Sequence, residues 1–261
     1  MLFYVSGVVI PAILMRVYQY MTWKEMEEFV DSCHGTAAIL IPIGCLEEHG
    51  PHLPLATDGM LALDLSVAVA QDTSLPIISG PLVDFGVSVL TQGFPGTVKV
   101  RFDTLKAILV DLMKSCVAWG FTKILLFSWH GGSSHEICLR EASLQVLSEI
   151  KVDIYVLRGV KLFDDPAFKK KIESVLDSMG EHADELETSL MMHLHPDLVR
   201  KDKLVKEYPD IPKFKIIDSG EPYMEHGVIG DATLATAEKG KKLFEMIRDE
   251  LIGNVRALVL E

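Results

Sequence analysis

The sequence is short of cationic residues: 25 Lys and Arg face 37 Asp and Glu across 261 residues, for a net charge of −12. A nucleic-acid-binding surface needs a basic footprint, so that class is set aside and small-molecule chemistry stays open. Cysteine is scarce too. Cys33, Cys45, Cys116 and Cys138 lie far apart with no CxxC pair, which argues against a disulfide framework and for a reduced, cytoplasmic protein. Cys33, Cys116 and Cys138 fall in helix-like segments. Cys45 borders an acidic loop with no basic neighbour in sequence to activate it, so it is assigned to packing. The apolar N-terminal stretch ends at Met15, too short to span a bilayer, and nothing else in the chain resembles a membrane segment. No Lys or Arg precedes that stretch and no small-residue cleavage box follows, so it does not read as a signal peptide. Residues 1–21 are therefore an N-terminal extension, packed on the domain or lying upstream of a true start at Met15 or Met21. No GxSxG, P-loop or HExxH motif is present. Internal repeats, low-complexity tracts and composition breaks are missing as well, so residues 22–261 read as one domain.

What the chain does contain is an alternation of strands and helices. Hydrophobic residues make up 49% and charged residues 24%, the balance of a globular protein with a full core. Residues 22–33 repeat at helical spacing, with Thr22 as N-cap and Glu25 at the capping-box position. "TAAILIPIG" (36–44), "KILLFSWHGG" and "VDIYVLRG" are short apolar runs of the kind buried on both faces of a parallel sheet. "LPIISGPLVDFG" reads as a further strand, and "TQGFPGTVKV" as a Gly/Pro loop entering a short strand. Helices are expected over Asp58–Gln71, Asp103–Trp119 (stopped by Gly120), Glu136–Ile150, Glu185–Leu194 and Thr233–Leu251, with a polar helical excursion within Phe163–Ser178. The pattern predicts an α/β fold, a three-layer α/β/α sandwich around a mostly parallel sheet.

Three stretches gather chemistry. "IGCLEEHGPHLPLATDG" (43–59) packs Glu47, Glu48, His49 and His52 into six positions and adds Asp58. "SWHGGSSH" carries His130 and His135, and "GEHADELETSLMMHLHP" (180–196) carries His182 and Glu187. The first two lie at the carboxyl ends of expected strands, the edge where open α/β sheets bind ligands. Mixed His and carboxylate donors suit Zn²⁺, Mn²⁺ or Fe²⁺, and the number of donors suits two ions. Taken singly, most of these residues have plainer roles. Glu47 or Glu48 alone is a solvated carboxylate, His52 a loop hydrogen-bonder, and His34, His135 and His226 structural. His193 and His195 read as surface residues near a helix C-terminus, where the macrodipole favours a cation. It is the convergence of three separate loops that favours a metal site.

"IGCLEEHGPHLPLATD", "GFPGTVKV", "HGGSSHE", "HADELETSLM" and "GVIGDATLATAEKG" resemble, in order and over about residues 22–252, the motifs of the creatininase family of metal-dependent amidohydrolases. The resemblance implies a dinuclear site hydrolysing a non-peptide C–N bond in a small cyclic amide or a formamide, in a homo-oligomer that is often a hexamer. It implies that Glu47 and His130 hold one metal, that His49 and Glu187 hold the other, and that Asp58 bridges them. His182 matches the family histidine near the substrate and is the expected proton shuttle, with Glu48 as a second acid–base group. Trp129 and Ser133, which depart from the family pattern, flank a ligand and are expected to line the substrate pocket. A scaffold or regulator that kept the metal site and lost turnover is the alternative.

Overall fold

The computed structural model describes the chain except residues 1, 6–7, 12–15, 73 and 163. Met1 and Met15, two of the starts considered, thus lie outside the described residues. A short antiparallel hairpin, β1 (Leu2–Val5) and β2 (Val8–Pro11), precedes the first helix, α1 (Trp23–Ser32). The capping box is present as expected: Glu25 N donates to Thr22 Oγ1 at 3.3 Å and Thr22 N donates to Glu25 Oε2 at 2.7 Å.

The expected strands assemble into one parallel sheet. β3 (Ala38–Ile43), β4 (Ile77–Ser79), β5 (Lys123–Ser128) and β6 (Asp153–Arg158) lie in the order β4-β3-β5-β6. Side chains alternate across a strand, so the sheet feeds two cores. Leu40, Leu125 and Phe127 pack on one face with Leu61 and Leu65 of α2 (Thr57–Ala70). Ile39, Ile41 and Leu126 pack on the other with Leu105 and Leu109 of α3 (Phe102–Ala118) and Leu139 of α4 (Ser133–Leu147). After β6 come α5 (Gly159–Leu162), α6 (Pro166–Glu173) and α7 (Glu185–Leu194). A two-residue pair, β7 (Lys206–Glu207) and β8 (Gly230–Asp231), precedes the closing helix α8 (Ala237–Leu260). The three layers of the α/β/α sandwich are therefore in place.

Several boundaries differ from the sequence expectation. Residues 97–100 form no strand: Val98 N donates to Leu46 O at 2.8 Å, but the segment joins no ladder. β6 is half-buried along most of its length because it is the edge strand. α8 begins at Ala237, not Thr233, because Thr236 caps it by accepting from Lys239 N at 3.1 Å, while residues 232–234 make a 3₁₀ turn. His193 and His195, expected at the surface, are half-buried. His195 Nε2 lies 2.7 Å from Asp64 Oδ2, and the His193 ring packs on Phe244, so the two join α7 to its neighbours α2 and α8.

β3 connects to β4 on one side, and the chain then crosses to β5 on the other. The direction of winding therefore switches between β3 and β5, the place where such sheets hold ligands. Both strands end level, with Ile43 opposite Ser128, so their exit loops leave side by side.

Candidate metal centre

The loop after β3 can form a tight return because two glycines touch. A Cβ on Gly44 would lie 2.3 Å from Gly59 N, so only glycine lets the strand exit press against the first turn of α2. Residues 45–56 loop out and come back, and Asp58, in that first turn, arrives beside Glu47 and His49. His130 enters from the loop after β5, and Glu187 from the first turn of α7.

These five side chains meet. Asp58, almost fully buried, divides its oxygens: Oδ1 lies 3.2 Å from His49 Nε2 and Oδ2 lies 3.1 Å from His130 Nδ1. Glu47 Oε1 is 2.7 Å from His130 Nδ1, and Glu187 Oε2 is 3.8 Å from His49 Nε2. Donor atoms of His49, Asp58 and Glu187 fall within 4.8 Å of one another, as do those of Glu47, His49 and His182. The far nitrogen of each imidazole meets a backbone carbonyl, His49 Nδ1 on Glu47 O at 3.2 Å and His130 Nε2 on Val87 O at 3.3 Å. A carbonyl only accepts, so a neutral imidazole that donates to it would turn its lone pair toward Asp58, the arrangement metal-binding histidines use.

The electrostatics call for positive charge. Burial opposes charge on His49, yet Asp58, Glu187 and Glu47 outweigh it and lift its pKa to about 10. Burial likewise opposes charge on His130, which Glu47 and Asp58 raise well above the ordinary imidazole value. Burial pushes the Glu47 and Asp58 carboxyls up, and the neighbouring imidazoles overcome it to hold both below the usual carboxylate range. Such a nest of carboxylates is satisfied by protons on the imidazoles or by cations of higher charge.

Around this cluster lie the residues expected to act on substrate. His182 packs its ring on His49 at 4.5 Å, with Nε2 2.8 Å from Glu48 O and 3.3 Å from Glu48 Oε1. Burial and His49 oppose its charge, but its hydrogen bond to Glu48 helps to raise its pKa. Trp129 and Ser133 line a cavity of about 970 Å³ whose inner end holds Glu47, Asp58, His130 and Glu187. His52, expected to bond within its loop, bonds outside it: its Nε2 lies 2.9 Å from Thr188 Oγ1 on α7, which fastens the loop to that helix. His135 is buried between Val87 N and Ser128 Oγ, a structural role as expected. His34 and His226 are exposed, apart from the cluster. Burial, then Glu47 and Asp58, push the Cys45 thiol far up, in keeping with packing. Two contributors escaped the sequence. Thr91 Oγ1 donates to Glu47 Oε2 at 2.5 Å, and Ala183, in the left-handed region at φ 49°, donates its N–H to Glu187 Oε2 at 2.8 Å. Thr91 has no local signal because its partner lies 44 positions away in the chain, and the left-handed backbone that aims the Ala183 N–H is not encoded by an alanine side chain.

The creatininase model, creatinine amidohydrolase, matches residues 19–255. The chain belongs to the creatininase family. Among its family relatives, a mycofactocin precursor peptide peptidase of Mycolicibacterium smegmatis is 30% identical over 218 residues, 80% of this chain and 81% of its own. The creatinine amidohydrolase of Pseudomonas putida is 28% identical over 241 residues, 87% and 90% of the two chains. A solved "Creatininase Mn" structure superposes with a TM-score of 0.81 at 25% identity, covering 93% of this chain and 98% of that one. The creatininase-type fold thus extends over most of this protein. No described helix is long and apolar enough to cross a membrane.

Proposed function

We propose that this protein is a metal-dependent amidohydrolase with two divalent ions, Zn²⁺, Mn²⁺ or Fe²⁺, in its centre. The observation that carries this is the division of Asp58 between His49 and His130. Glu47, His130 and Asp58 Oδ2 would hold one ion; His49, Glu187 and Asp58 Oδ1 would hold the other. Bound there, the ions supply Lewis acidity for an amide carbonyl and lower the pKa of water toward neutrality. The chain's own residues do the rest. Glu48 takes a hydrogen bond from His182, which helps to raise the imidazole's pKa and turns its N–H toward the site as a group able to give a proton to the leaving nitrogen. Trp129 and Ser133 border the space where the amide sits.

The bond is a non-peptide C–N bond in a cyclic amide or formamide, and the P. putida relative supports that choice. The cavity volume favours a second substrate range, longer amides, and the M. smegmatis relative acts on a precursor peptide by name. A scaffold without turnover would need the same ligands but no cavity of this size above them. The α4 face bearing exposed Ile137, Leu144 and Leu147 supports a homo-oligomer, up to a hexamer, which light scattering would test. The function is tested by loading the protein with Mn²⁺ or Zn²⁺ and following ring opening, formate release and amine release across cyclic amides, formamides and short peptides. Turnover of any of them supports a hydrolase; bound metal with no turnover on all three classes supports the scaffold.

A further inference from the structure

The outer part of the cavity has a character unlike its inner end. Glu47 and Asp58 line the cavity from buried positions and Glu187 from a half-buried one, whereas the apolar Leu90 and Ile229 are half-buried and Met179 and Ile216 exposed, toward its outer part. Among the described lining residues, Lys215 carries the only ammonium or guanidinium, in a lining that otherwise holds several carboxylates. Its Nζ donates to Tyr223 Oη at 3.3 Å, which gives the long side chain a fixed neighbour. The segment that bears Lys215 is fastened to the opposite wall: Gly220 N donates to Leu90 O at 2.7 Å, and Gln92 Nε2 donates to Asp218 O. Leu90 in turn neighbours Thr91, the partner of Glu47.

A volume of about 970 Å³ stands at the top of the range, about 300–1,000 Å³, that takes drug-sized ligands. A small cyclic amide at the inner end would leave the apolar wall and Lys215 unused. Resting on the two-ion amidohydrolase proposed above, we propose that the outer cavity is a subsite for an apolar chain ending in a carboxylate, anchored by Lys215. The substrate class is then a non-peptide amide whose acyl or amine part carries that chain, as in N-acyl amino acids. A carboxylate suits one point-charge ammonium, whereas phosphate recognition usually recruits Arg forks or several backbone N–H groups. Away from the metal centre, Lys215 is the only ammonium or guanidinium among the described lining residues, so it sets which way the anionic end of the chain points.

The test uses alkyl hydroxamates as metal-binding probes on the metal-loaded full-length protein, with binding followed by calorimetry. Each ω-carboxyalkyl hydroxamate of four to eight carbons is paired with its uncharged ω-carboxamide twin, and acetohydroxamate reports on the metal centre alone. At least one chain length should bind about fivefold tighter as the carboxylate, the upper range for an exposed ion pair. Lys215→Met should bring those twins together, and Lys215→Glu should reverse their order. Twins that bind alike at every length, or a preference that survives in Lys215→Met, would overturn the subsite while leaving the metal centre intact. Failure of acetohydroxamate to bind the native protein would overturn the metal centre, and the subsite with it.

Discussion

Trp129 donates its indole N–H to Glu187 Oε1 at 2.9 Å. Trp129 directly precedes His130, while Glu187 belongs to α7, so the contact ties the two sides of the cluster together. The other Glu187 oxygen accepts from Ala183 N, and the carboxylate is thus held at both atoms. Gly159 makes room: a Cβ there would lie 2.7 Å from the Trp129 ring. Trp129→Phe keeps the apolar ring and deletes the donor. Loss of such an outer-shell partner typically weakens metal affinity by about 10–100-fold. Chelator competition should show that loss for one of two ions. Equal affinities in native and variant would mean that the hydrogen bond does not orient Glu187.

His182→Asn removes an imidazole that contacts Glu48 and packs on His49. Metal content should stay at the native level while turnover falls about 10²- to 10⁴-fold, the usual cost of a lost general acid. A substrate with a better leaving group should recover part of the rate. Loss of an ion from the variant would make His182 a ligand, joining Glu47 and His49, whose donor atoms lie nearby.

His193→Ala and His195→Ala separate the cluster from its surroundings. His195 pairs with Asp64 and His193 packs on Phe244, both distant from the donor set. Each variant should keep full metal content and turnover and lose stability on the order of 1 kcal/mol, read from denaturant unfolding. A metal loss as large as that of His49→Ala would place α7's C-terminal end in the centre.

Acid should act on the fold through His52. Burial, then the charge of His49, push its pKa down to about 4 in the folded protein, against an ordinary value near 6.5. Between those values the unfolded chain binds the proton and the folded chain does not. Stability therefore rises with pH across the window and is lost as pH falls from about 6.5 toward 4, by at most about 1.4 kcal/mol per pH unit. His52→Gln should flatten this part of the curve relative to the native protein in chemical denaturation. Parallel curves would show that His52 takes up no proton on unfolding.

Much of this architecture was legible because strand and helix periods differ. β3 and β5 read as continuous apolar runs, and α7 matched its spacing at both ends. The clustering of these side chains was legible for a different reason: Glu47, His49 and Asp58 lie close together in the sequence. What stayed hidden depends on contacts across the fold. β6 reads like a central strand, since its edge position follows only from the sheet order. Thr91 is an ordinary loop threonine until Glu47 is placed beside it. His195 looks like a solvated helix-end residue until Asp64, 131 positions away in the chain, supplies its partner.

The central claim is that Asp58 serves two ions at once, and metal analysis of desalted protein tests it most directly. Native protein should carry two divalent ions per chain, Glu187→Gln about one, and Asp58→Ala almost none, because both ions lose a ligand together. A native content of one ion, or an Asp58→Ala variant that keeps both, would contradict the bridging centre.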